Sequence, residues 1–538
     1  MKPIHFLLLT AAGLFPSLAV AQDFQYKWQE PMAEVTETGA INWKPKPFEE
    51  NLEGQDLRYI DYENGDDSND GKSPENAWKH HPWDLDASGN AAGAAETSPL
   101  TTVFKRGVIY RGQLYAKASG TEGQPIRLTS SEKWGEGPAI LAGSVRLPDE
   151  WKRVDQADVT APKHMPDLDK VWVLDLGATG WWKDGQAGRN IANPDSFGKA
   201  APRPQKVEAP FIGLFTVAED FSSDWKHLAR WPDWQPAGTE FAHDYWAAWE
   251  GDIGAITDTK GKQVKTQGGY DEDLKGKPQD FFVGGIVWST YPSLMGGATP
   301  GNPIRDTITD KQGRTFHQYD PEKGGFSMLL AQGNFDPGTR YKIENVPGYL
   351  DTAGEFYIDQ KNDLLYYRPE DGVDPNGLNF ELVVNHQSLV IEDHSNIEVS
   401  GLEFRYTDGM VIDLRGDLRN LVFKNNRFQD LMEHPFYNWI RPDEDSFKKI
   451  RANEDWKLEK MAGIVISDND FARIWDSCID FGDGRTWQHN RIGRGIGGHP
   501  WGVIEQVDIL RNRLHARGVL GQQTPGHIEL SLLHRRRL

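Results

Sequence analysis

A repeated pattern in the C-terminal part of the chain constrains the fold most strongly. Five segments share one pattern: apolar residues alternate with other residues, a polar pair follows, and one apolar residue ends the segment. The final residues of successive segments are 24, 43, 21 and 22 residues apart. Their closing residues are Phe404, Phe428, Phe471, Ile492 and Leu514. Alternating strands with a period of this size and asparagine at the turn are typical of a solenoid. The sequence predicts an all-β fold, a right-handed parallel β-helix, in which the 43-residue step is one coil with a charged excursion.

Two rows of acidic residues follow from this repeat. Glu433 and Asp476 stand at equal offsets on neighbouring coils, and Asp413 and Asp480 stand at equal offsets two coils apart. Residues at equal offsets form straight rows, because parallel coils stack about 4.8 Å apart. Stacked carboxylates repel one another unless a ligand, a metal or a shared proton compensates. We therefore predict these four acids as catalytic candidates.

Composition and the N-terminus limit the function classes. The chain has 538 residues, 38% of them apolar, and 20 tryptophans, which indicates a folded protein with a large core. The net charge of -21 argues against nucleic acid and against a dense polyanion as partners. Residues 1–21 carry Lys2, an apolar run and a small-residue end at Ala21, which is the pattern of a secretory signal. We expect a secreted or periplasmic monomer that does not bind a membrane.

We divide the rest of the chain into segments that show short alternating strands and segments that do not. We predict an N-terminal extension at 22–56, first coils at 57–150, an inserted β-rich domain at 151–349 and the main coils at 350–521. Residues 522–538 lose the pattern and form an atypical tail. Because a solenoid needs a polar cap over its last coil, either this tail is an unusual cap or the chain stops short of its natural length. The lone Cys478 excludes an internal disulfide.

Three strings resemble one family of enzymes. They are the opening at residues 59–78, the segment Trp225-Lys-His-Leu-Ala-Arg-Trp-Pro-Asp233 after Leu214-Phe-Thr-Val, and the re-entry segment at 350–369. With the repeats, they make most of residues 57–520 similar to the parallel β-helix glycoside hydrolases that include certain β-xylosidases, xylanases and fucosidases. The resemblance implies a β-helix with an inserted domain and the hydrolysis of glycosidic bonds. The acidity of the chain favours a neutral or lightly charged plant or algal glycan as substrate.

Hydrolysis of a glycosidic bond needs a proton donor and a second carboxylate. Neighbouring coils would place Glu433 and Asp476 about 5 Å apart, which suits retention, whereas Asp413 and Asp480 at roughly 9.5 Å would suit inversion. For each acid, hydrogen bonding at a turn is the structural alternative. Side chains near the same coils are candidates for sugar binding, although aromatic residues also fill solenoid cores. These are Trp475, Trp487, Trp501, His434, His499 and Arg485.

Two other functions stay open at this point. A polysaccharide lyase would use a base and a cation that neutralises a uronate carboxylate. The residues that could serve are His434, Lys448, Lys449, Arg473, Arg485, Arg491 and Arg494. A non-catalytic glycan-binding β-helix would need aromatic residues but no paired acids. No cofactor or metal is required for hydrolysis; Asp66, Asp67 and Asp70 could bind calcium, although turn hydrogen bonds explain them equally well.

Overall fold

The computed structural model describes the chain in part, in two compact units, Met1–Phe48 and Glu49–Leu538. In the first unit, Ala33–Val35 pairs antiparallel with Ile41–Trp43. The described ranges are 33–35, 41–43, 48–179, 213–233, 246–251, 255–265, 269–289, 302–318, 338–359, 361–385, 387–407, 409–432, 435–437, 459–474, 479–482, 502–504, 507–510, 513–515 and 528–531.

Two parallel sheets form the largest part of the second unit. One has twelve described strands: Leu57–Ile60, Thr101–Arg111, Ile126–Ala142, Ser395–Ser400, Glu403–Arg405, Leu418–Lys424, Arg427–Leu431, Glu459–Ser467, Asp470–Ile474, Gly502–Ile504, Val507–Leu510 and Arg513–His515. The other has six described strands: Leu114–Tyr115, Leu389–Glu392, Ile412–Arg415, Phe436–Tyr437, Ile479–Gly482 and Ile528–Ser531. Both sheets contribute side chains to one shared core. The described residues are thus predominantly β, as the sequence predicts.

The repeat sets the pairing within the larger sheet. Phe404 pairs with Phe428, and Phe428 pairs with Phe471. Their rings stack with centroids 5.0 Å apart at both steps, close to the spacing of neighbouring strands. The 43-residue step therefore joins directly neighbouring strands, as the interpretation of one coil with an excursion predicts. Leu141 pairs with Phe404 on the other side, so the early strands lie directly beside the later ones.

One predicted step is wrong. The sequence pattern places Ile492 between Phe471 and Leu514, but Phe471 pairs directly with Leu514. The neighbouring strands agree, since Ile464 pairs with Val507. The second large step therefore also spans 43 residues. Ile492 itself lies outside the described residues. Alternating apolar residues do not show which strands are neighbours, and only the long-range pairing does.

Asparagine shapes the turns between strands, as the pattern indicates. Asn425 takes a left-handed backbone with φ of 53°. Its neighbour Asn426 is buried and donates from Nδ2 to the carbonyl oxygen of Val399 at 2.9 Å, while its Oδ1 accepts from the Leu402 amide at 3.1 Å. Asn469, one strand further, donates in the same way to the Phe423 carbonyl oxygen at 3.0 Å. These side chains satisfy backbone groups that the bends leave without strand partners.

The chain leaves the parallel sheets after Ala142 and returns at Leu389, and the described strands between form separate sheets. One sheet contains Ser144–Arg146, Lys152–Arg153, Trp172–Asp175, Leu214–Val217, Ser223–Leu228, Glu355–Asp359, Leu364–Tyr367 and Phe380–Val383. A second contains Arg230–Trp231, Ala247–Ala248, Ile286–Ser289, Asn302–Pro303 and Arg340–Glu344. Two hairpins pair Ala255–Thr257 with Gln263–Lys265 and Asp306–Thr309 with Thr315–Gln318. The predicted domain boundaries stay predictions.

Helix is scarce in the described part of the chain. One short α-helix spans Gly89–Gly93. The 3-10 helices are Pro74–Asn76, Val154–Gln156, Gly177–Thr179, Glu272–Leu274, Pro347–Tyr349 and Pro375–Gly377. No described helix has the length and apolar character needed to cross a bilayer.

Candidate functional site

The second predicted row lies on the six-stranded sheet. Asp413 pairs with Tyr437, and Tyr437 pairs with Asp480. Asp413 and Asp480 are therefore two strands apart, about 9.6 Å along the row. The row continues, because Asp480 pairs with Glu529. The strand Ile528–Ser531 lies in the tail where the sequence shows no strand pattern, so this neighbour of Asp480 was missed.

Asp413 is held in a buried ion pair. Ile412 and Leu414 belong to the shared core, so Asp413 and Arg415 face away from it. Arg415 donates from Nε to Oδ2 of Asp413 at 2.9 Å and also from Nη2, and Gln387 donates to the same oxygen. Burial alone would lower the pKa of Arg415, but the paired carboxylate raises that pKa above its ordinary value. With 1% exposure, the Asp413 side chain does not reach solvent in this arrangement.

Charges on the larger sheet alternate in sign along a row. Glu403, Arg427, Asp470 and Arg513 pair successively. Arg427 Nε lies 3.8 Å from Glu403 and 3.5 Å from Asp470. Opposite charges on neighbouring strands attract, whereas like charges repel. On the six-stranded sheet, by contrast, the register places two acids, Asp480 and Glu529, on neighbouring strands.

The remaining predicted site residues lie outside the described residues. For the row of Glu433 and Asp476, the flanking pairs Phe428 with Phe471 and Phe436 with Ile479 are in register. The pairing of the two acids themselves stays a prediction. The other predicted residues without a described position are His434, Trp475, Arg485, Trp487, His499 and Trp501.

One lyase candidate is described, and its guanidinium is occupied. Arg473 binds Asp430 with two hydrogen bonds, from Nε at 2.5 Å and from Nη2 at 2.7 Å. It also donates to the Ser223 hydroxyl at 3.2 Å, and Ser223 in turn donates to Asp430. A cation held in this way joins the larger parallel sheet to the sheet that contains Ser223. We therefore do not expect it to bind a uronate carboxylate.

The acidic turn proposed for calcium is satisfied by protein donors. Asp66 accepts from the amide of Ser68 at 2.8 Å, and Asp70 accepts from the amide of Lys72 at 3.0 Å. Asp67 accepts from the amide of His80 at 2.8 Å. Among the described residues, no group of three or more His, Cys, Asp or Glu side chains is arranged to hold a metal ion.

A second group of acids was not predicted. The Thr352 hydroxyl lies 3.1 Å from Oδ2 of Asp233 and 3.4 Å from Oδ1 of Asp351, so these two carboxylate oxygens are at most about 6.5 Å apart. The Thr352 amide donates to Oε2 of Glu355 at 3.3 Å. Asp351 is exposed, Asp233 is half-buried and Glu355 is 2% exposed. We call Asp233, Asp351, Thr352 and Glu355 the Thr352 cluster.

Two buried polar atoms in this region have no hydrogen-bond partner among the described residues. One is Oε1 of Glu355, and the other is the hydroxyl of Tyr349, a residue that is 4% exposed. Burial, and then the charges of Asp351 and Asp233, raise the pKa of Glu355 well above its ordinary value. Although much of the residue is exposed, partial desolvation of its carboxyl group, followed by the charge of Asp233, also raises the pKa of Asp351. Both shifts follow from the loss of solvation and from the closeness of other acids.

The sequence marks this cluster only through the strings that resemble the glycoside hydrolase family. Asp233 ends one of the strings that carry the family resemblance, and Asp351 and Glu355 begin another. Ser223–Leu228 pairs parallel with Glu355–Asp359, His227 lying opposite Glu355, and this pairing brings the two strings together. No periodicity links residues so far apart in the chain, so spacing alone does not reveal the contact.

Comparisons with solved structures find proteins of similar structure. No family model matches the sequence, and no curated protein does. A solved structure described as a glycoside hydrolase matches with a TM-score of 0.41 and 11% identity, covering 79% of this chain and 77% of that chain. The structure titled as the complex of XylC with xylose matches with a TM-score of 0.31 and 13% identity, covering 86% of this chain but only 58% of that chain. Similarity at these TM-scores carries no inference about activity.

Proposed function

We propose that the protein is a secreted or periplasmic glycoside hydrolase that cleaves a plant or algal glycan, and that its two parallel sheets form a right-handed β-helix. Successive laps of chain that add strands to both sheets around one core support the β-helix. The secretory pattern at residues 1–21 supports export. We further propose that the enzyme acts as a monomer without a cofactor.

One observation carries the proposed activity: Asp480 has another acid, Glu529, as its register neighbour on the six-stranded sheet. Neighbouring parallel strands lie about 4.8 Å apart, and carboxyl groups about 5–5.5 Å apart suit a retaining glycosidase. One acid would protonate the leaving oxygen while the other attacks the anomeric carbon. Water then releases the sugar from the covalent intermediate.

Asp413 takes a different part in this proposal. Its separation from Asp480 would suit an inverting reaction, but its carboxylate is engaged by Arg415 and Gln387. We therefore assign Asp413 to positioning the neighbouring strand side chains. Glu433 and Asp476, the other predicted pair, would compete with Asp480 and Glu529 for the catalytic role.

Product analysis on a panel of neutral and uronate-containing polysaccharides tests the reaction class. We expect new reducing ends without unsaturated uronates, and a first product that keeps the anomeric configuration of the substrate. Unsaturated ends would instead indicate the lyase, binding without cleavage would indicate the non-catalytic protein, and an inverted anomer would contradict the Asp480 and Glu529 pair.

Substitution then tests the residues. Asp480→Asn and Glu529→Gln remove each charge with little change of size, so we expect kcat to fall at least about 100-fold in each, as for loss of a general acid or base. Glu370→Gln, at an exposed position, is the matched control and should retain full activity. Full activity in both variants, with folding preserved, would exclude this pair; loss in Glu433→Gln and Asp476→Asn instead would assign the reaction to the first predicted row.

A further inference from the structure

A small cavity lies beside Asp84, among the first strands of the second unit. Its volume is about 20 Å³. The apolar part of its wall is formed by the buried side chains of Phe104, Leu114 and Leu141. Tyr62, which is half-buried, and Lys79, which is exposed, also line the cavity. The cavity therefore has an apolar floor and a polar rim that faces solvent.

Asp84 directs a carboxylate oxygen without a partner into this cavity. The residue is 7% exposed, and its Oδ1 accepts from the Asp86 amide at 2.9 Å. Among the described residues, no hydrogen-bond donor reaches Oδ2. This oxygen lies against Gly112, another residue of the cavity wall, where an added Cβ atom would come within 2.8 Å of it. Because a buried polar atom is costly without a hydrogen bond, a donor inside the cavity would stabilise Asp84.

The charged groups at the cavity favour a neutral donor over an ion. Arg111 donates from Nε and Nη2 to the two carboxylate oxygens of Glu381, so its guanidinium is already occupied. An anion would meet the carboxylate of Asp84, since burial raises the pKa of this group only to about 6. A cation would meet Arg111 and the ammonium group of Lys79, whose Nζ lies 5.4 Å from the ring centroid of Tyr62. Both kinds of ion therefore meet a like charge.

The size of the cavity and its mixed wall restrict the neutral group further. A cavity of this volume holds about one or two non-hydrogen atoms and is too small for a sugar ring. A methylene group suits the apolar floor, and a hydroxyl group suits Oδ2 of Asp84. The Tyr62 hydroxyl has no described hydrogen-bond partner, and a phenol can both donate and accept. A hydroxymethyl group combines these properties, and the molecule that carries it remains outside the rim.

We propose that the cavity beside Asp84 is a binding site for the hydroxymethyl group of a neutral ligand, as carried by a hexose residue or a polyol. The hydroxyl of the ligand donates to Oδ2 of Asp84, and Tyr62 contacts it at the rim. The cavity borders Leu114–Tyr115, which lies four strands from Ile479–Gly482 in the six-stranded sheet. The site is thus separate from the proposed catalytic row, and binding here does not depend on hydrolysis.

Ligand-observed NMR titrations with three methyl β-glycosides test the chemical group. The glucoside carries the hydroxymethyl group, the xyloside has the same ring without it, and the glucuronide carries a carboxylate in its place. The full chain with Asp480→Asn is used, so that hydrolysis does not consume the ligand. We expect the glucoside to bind at least about tenfold more tightly than the xyloside and the glucuronide at neutral pH, through one hydrogen bond to a charged group. Glycerol distinguishes the carriers: binding as tight as that of the glucoside indicates a polyol site, and weaker binding indicates a hexose site.

Substitutions in the same background locate the binding. Asp84→Leu keeps the branching of the side chain and removes the acceptor, so we expect glucoside binding to weaken at least about tenfold. Asp86→Leu, the same change at an exposed acid outside the cavity wall, is the matched control and should bind like the parent. Tyr62→Phe removes only the rim hydroxyl and should weaken binding about threefold at an unchanged melting temperature.

Three results would overturn the site. The first is equal binding of the glucoside and the xyloside. The second is unchanged glucoside binding in Tyr62→Phe and in a folded Asp84→Leu; if Asp84→Leu does not fold, Tyr62→Phe alone decides. The third is binding of neither glycosides nor glycerol, which would mean that the cavity takes an ordered water only. Binding that depends on Asp84 in a protein that hydrolyses no polysaccharide would retain the site and reject the proposed hydrolase.

Discussion

At the scale of single residues, two buried acids show how partners decide the behaviour of a carboxyl group. Asp413 is 1% exposed and has Arg415 and Gln387 as donors. Glu355 is 2% exposed, has one backbone donor and lies near two more acids. Similar burial therefore leaves one carboxyl group paired with a cation and raises the pKa of the other.

Glu355 makes stability depend on pH. Burial, then Asp351 and Asp233, raise its pKa in the folded protein above the unfolded value of about 4.3. This group therefore contributes its full stability below the unfolded pKa, and that contribution is lost as pH rises through the folded pKa. Glu355→Gln abolishes the titration, so we expect the variant to gain stability relative to the parent as pH rises. Urea denaturation of both proteins from acidic to alkaline pH measures this difference.

A matched substitution isolates the buried acid from exposed ones. Glu370→Gln changes an exposed carboxyl and should alter the free energy of unfolding by less than about 0.5 kcal/mol. A constant difference between Glu355→Gln and the parent would show that Glu355 keeps the same pKa in the folded and unfolded states, contrary to the expectation.

The sequence predicts that two acids share a row only where both acids occupy the same offset within the repeat. Asp413 and Asp480 share an offset within the repeat, and the structure places them two strands apart in one row. Asp233 and Glu355 come together through a strand pairing between distant segments. Glu529 lies in a strand without the repeated pattern, and its place beside Asp480 also depends on long-range pairing.

At the scale of elements, the length of each lap is harder to predict than its strands. The phenylalanine stack and the asparagine turns follow the predicted offsets, because both recur with the strand spacing. The predicted step through Ile492 is wrong, since Phe471 pairs with Leu514. The repeat reaches Leu514 at the same position whether the chain takes two steps of 21 and 22 residues or one step of 43 residues. Pairing, rather than periodicity, distinguishes them.

The asparagine turns should contribute strongly to the stability of the parallel sheets. Asn426→Leu leaves the Leu402 amide and the Val399 carbonyl oxygen buried without their side-chain partner. Because each unsatisfied buried group costs about 1–3 kcal/mol, we expect the free energy of unfolding to fall by at least about 2 kcal/mol. Urea denaturation measures this loss. Arg419→Ala, an exposed change in the preceding strand, should alter stability by less than about 0.5 kcal/mol; equal effects of the two substitutions would contradict a special role for the turn.

At the scale of the whole second unit, polar contacts join the parallel sheets to the sheets between Ala142 and Leu389. Arg473 and Asp430 lie in the larger parallel sheet, and both contact Ser223 of the eight-stranded sheet. Arg405 adds a hydrogen bond from Nη1 to the Phe221 carbonyl oxygen at 2.5 Å. These contacts couple the strand Ser223–Leu228, which precedes Asp233 of the Thr352 cluster, to the parallel sheets.

Removal of this coupling should loosen the eight-stranded sheet selectively. Arg473→Met leaves Asp430, 2% exposed, without its cation, so we expect a loss of about 3 kcal/mol in unfolding free energy. Hydrogen exchange should accelerate in Leu214–Val217 and Ser223–Leu228 more than in Leu418–Lys424. Lys226→Met breaks a pair with the exposed Asp224 and should cost less than about 1 kcal/mol. Faster exchange confined to Leu418–Lys424 would mean that the ion pair stabilises the parallel sheet alone, and uniform acceleration across both sheets would contradict a selective coupling.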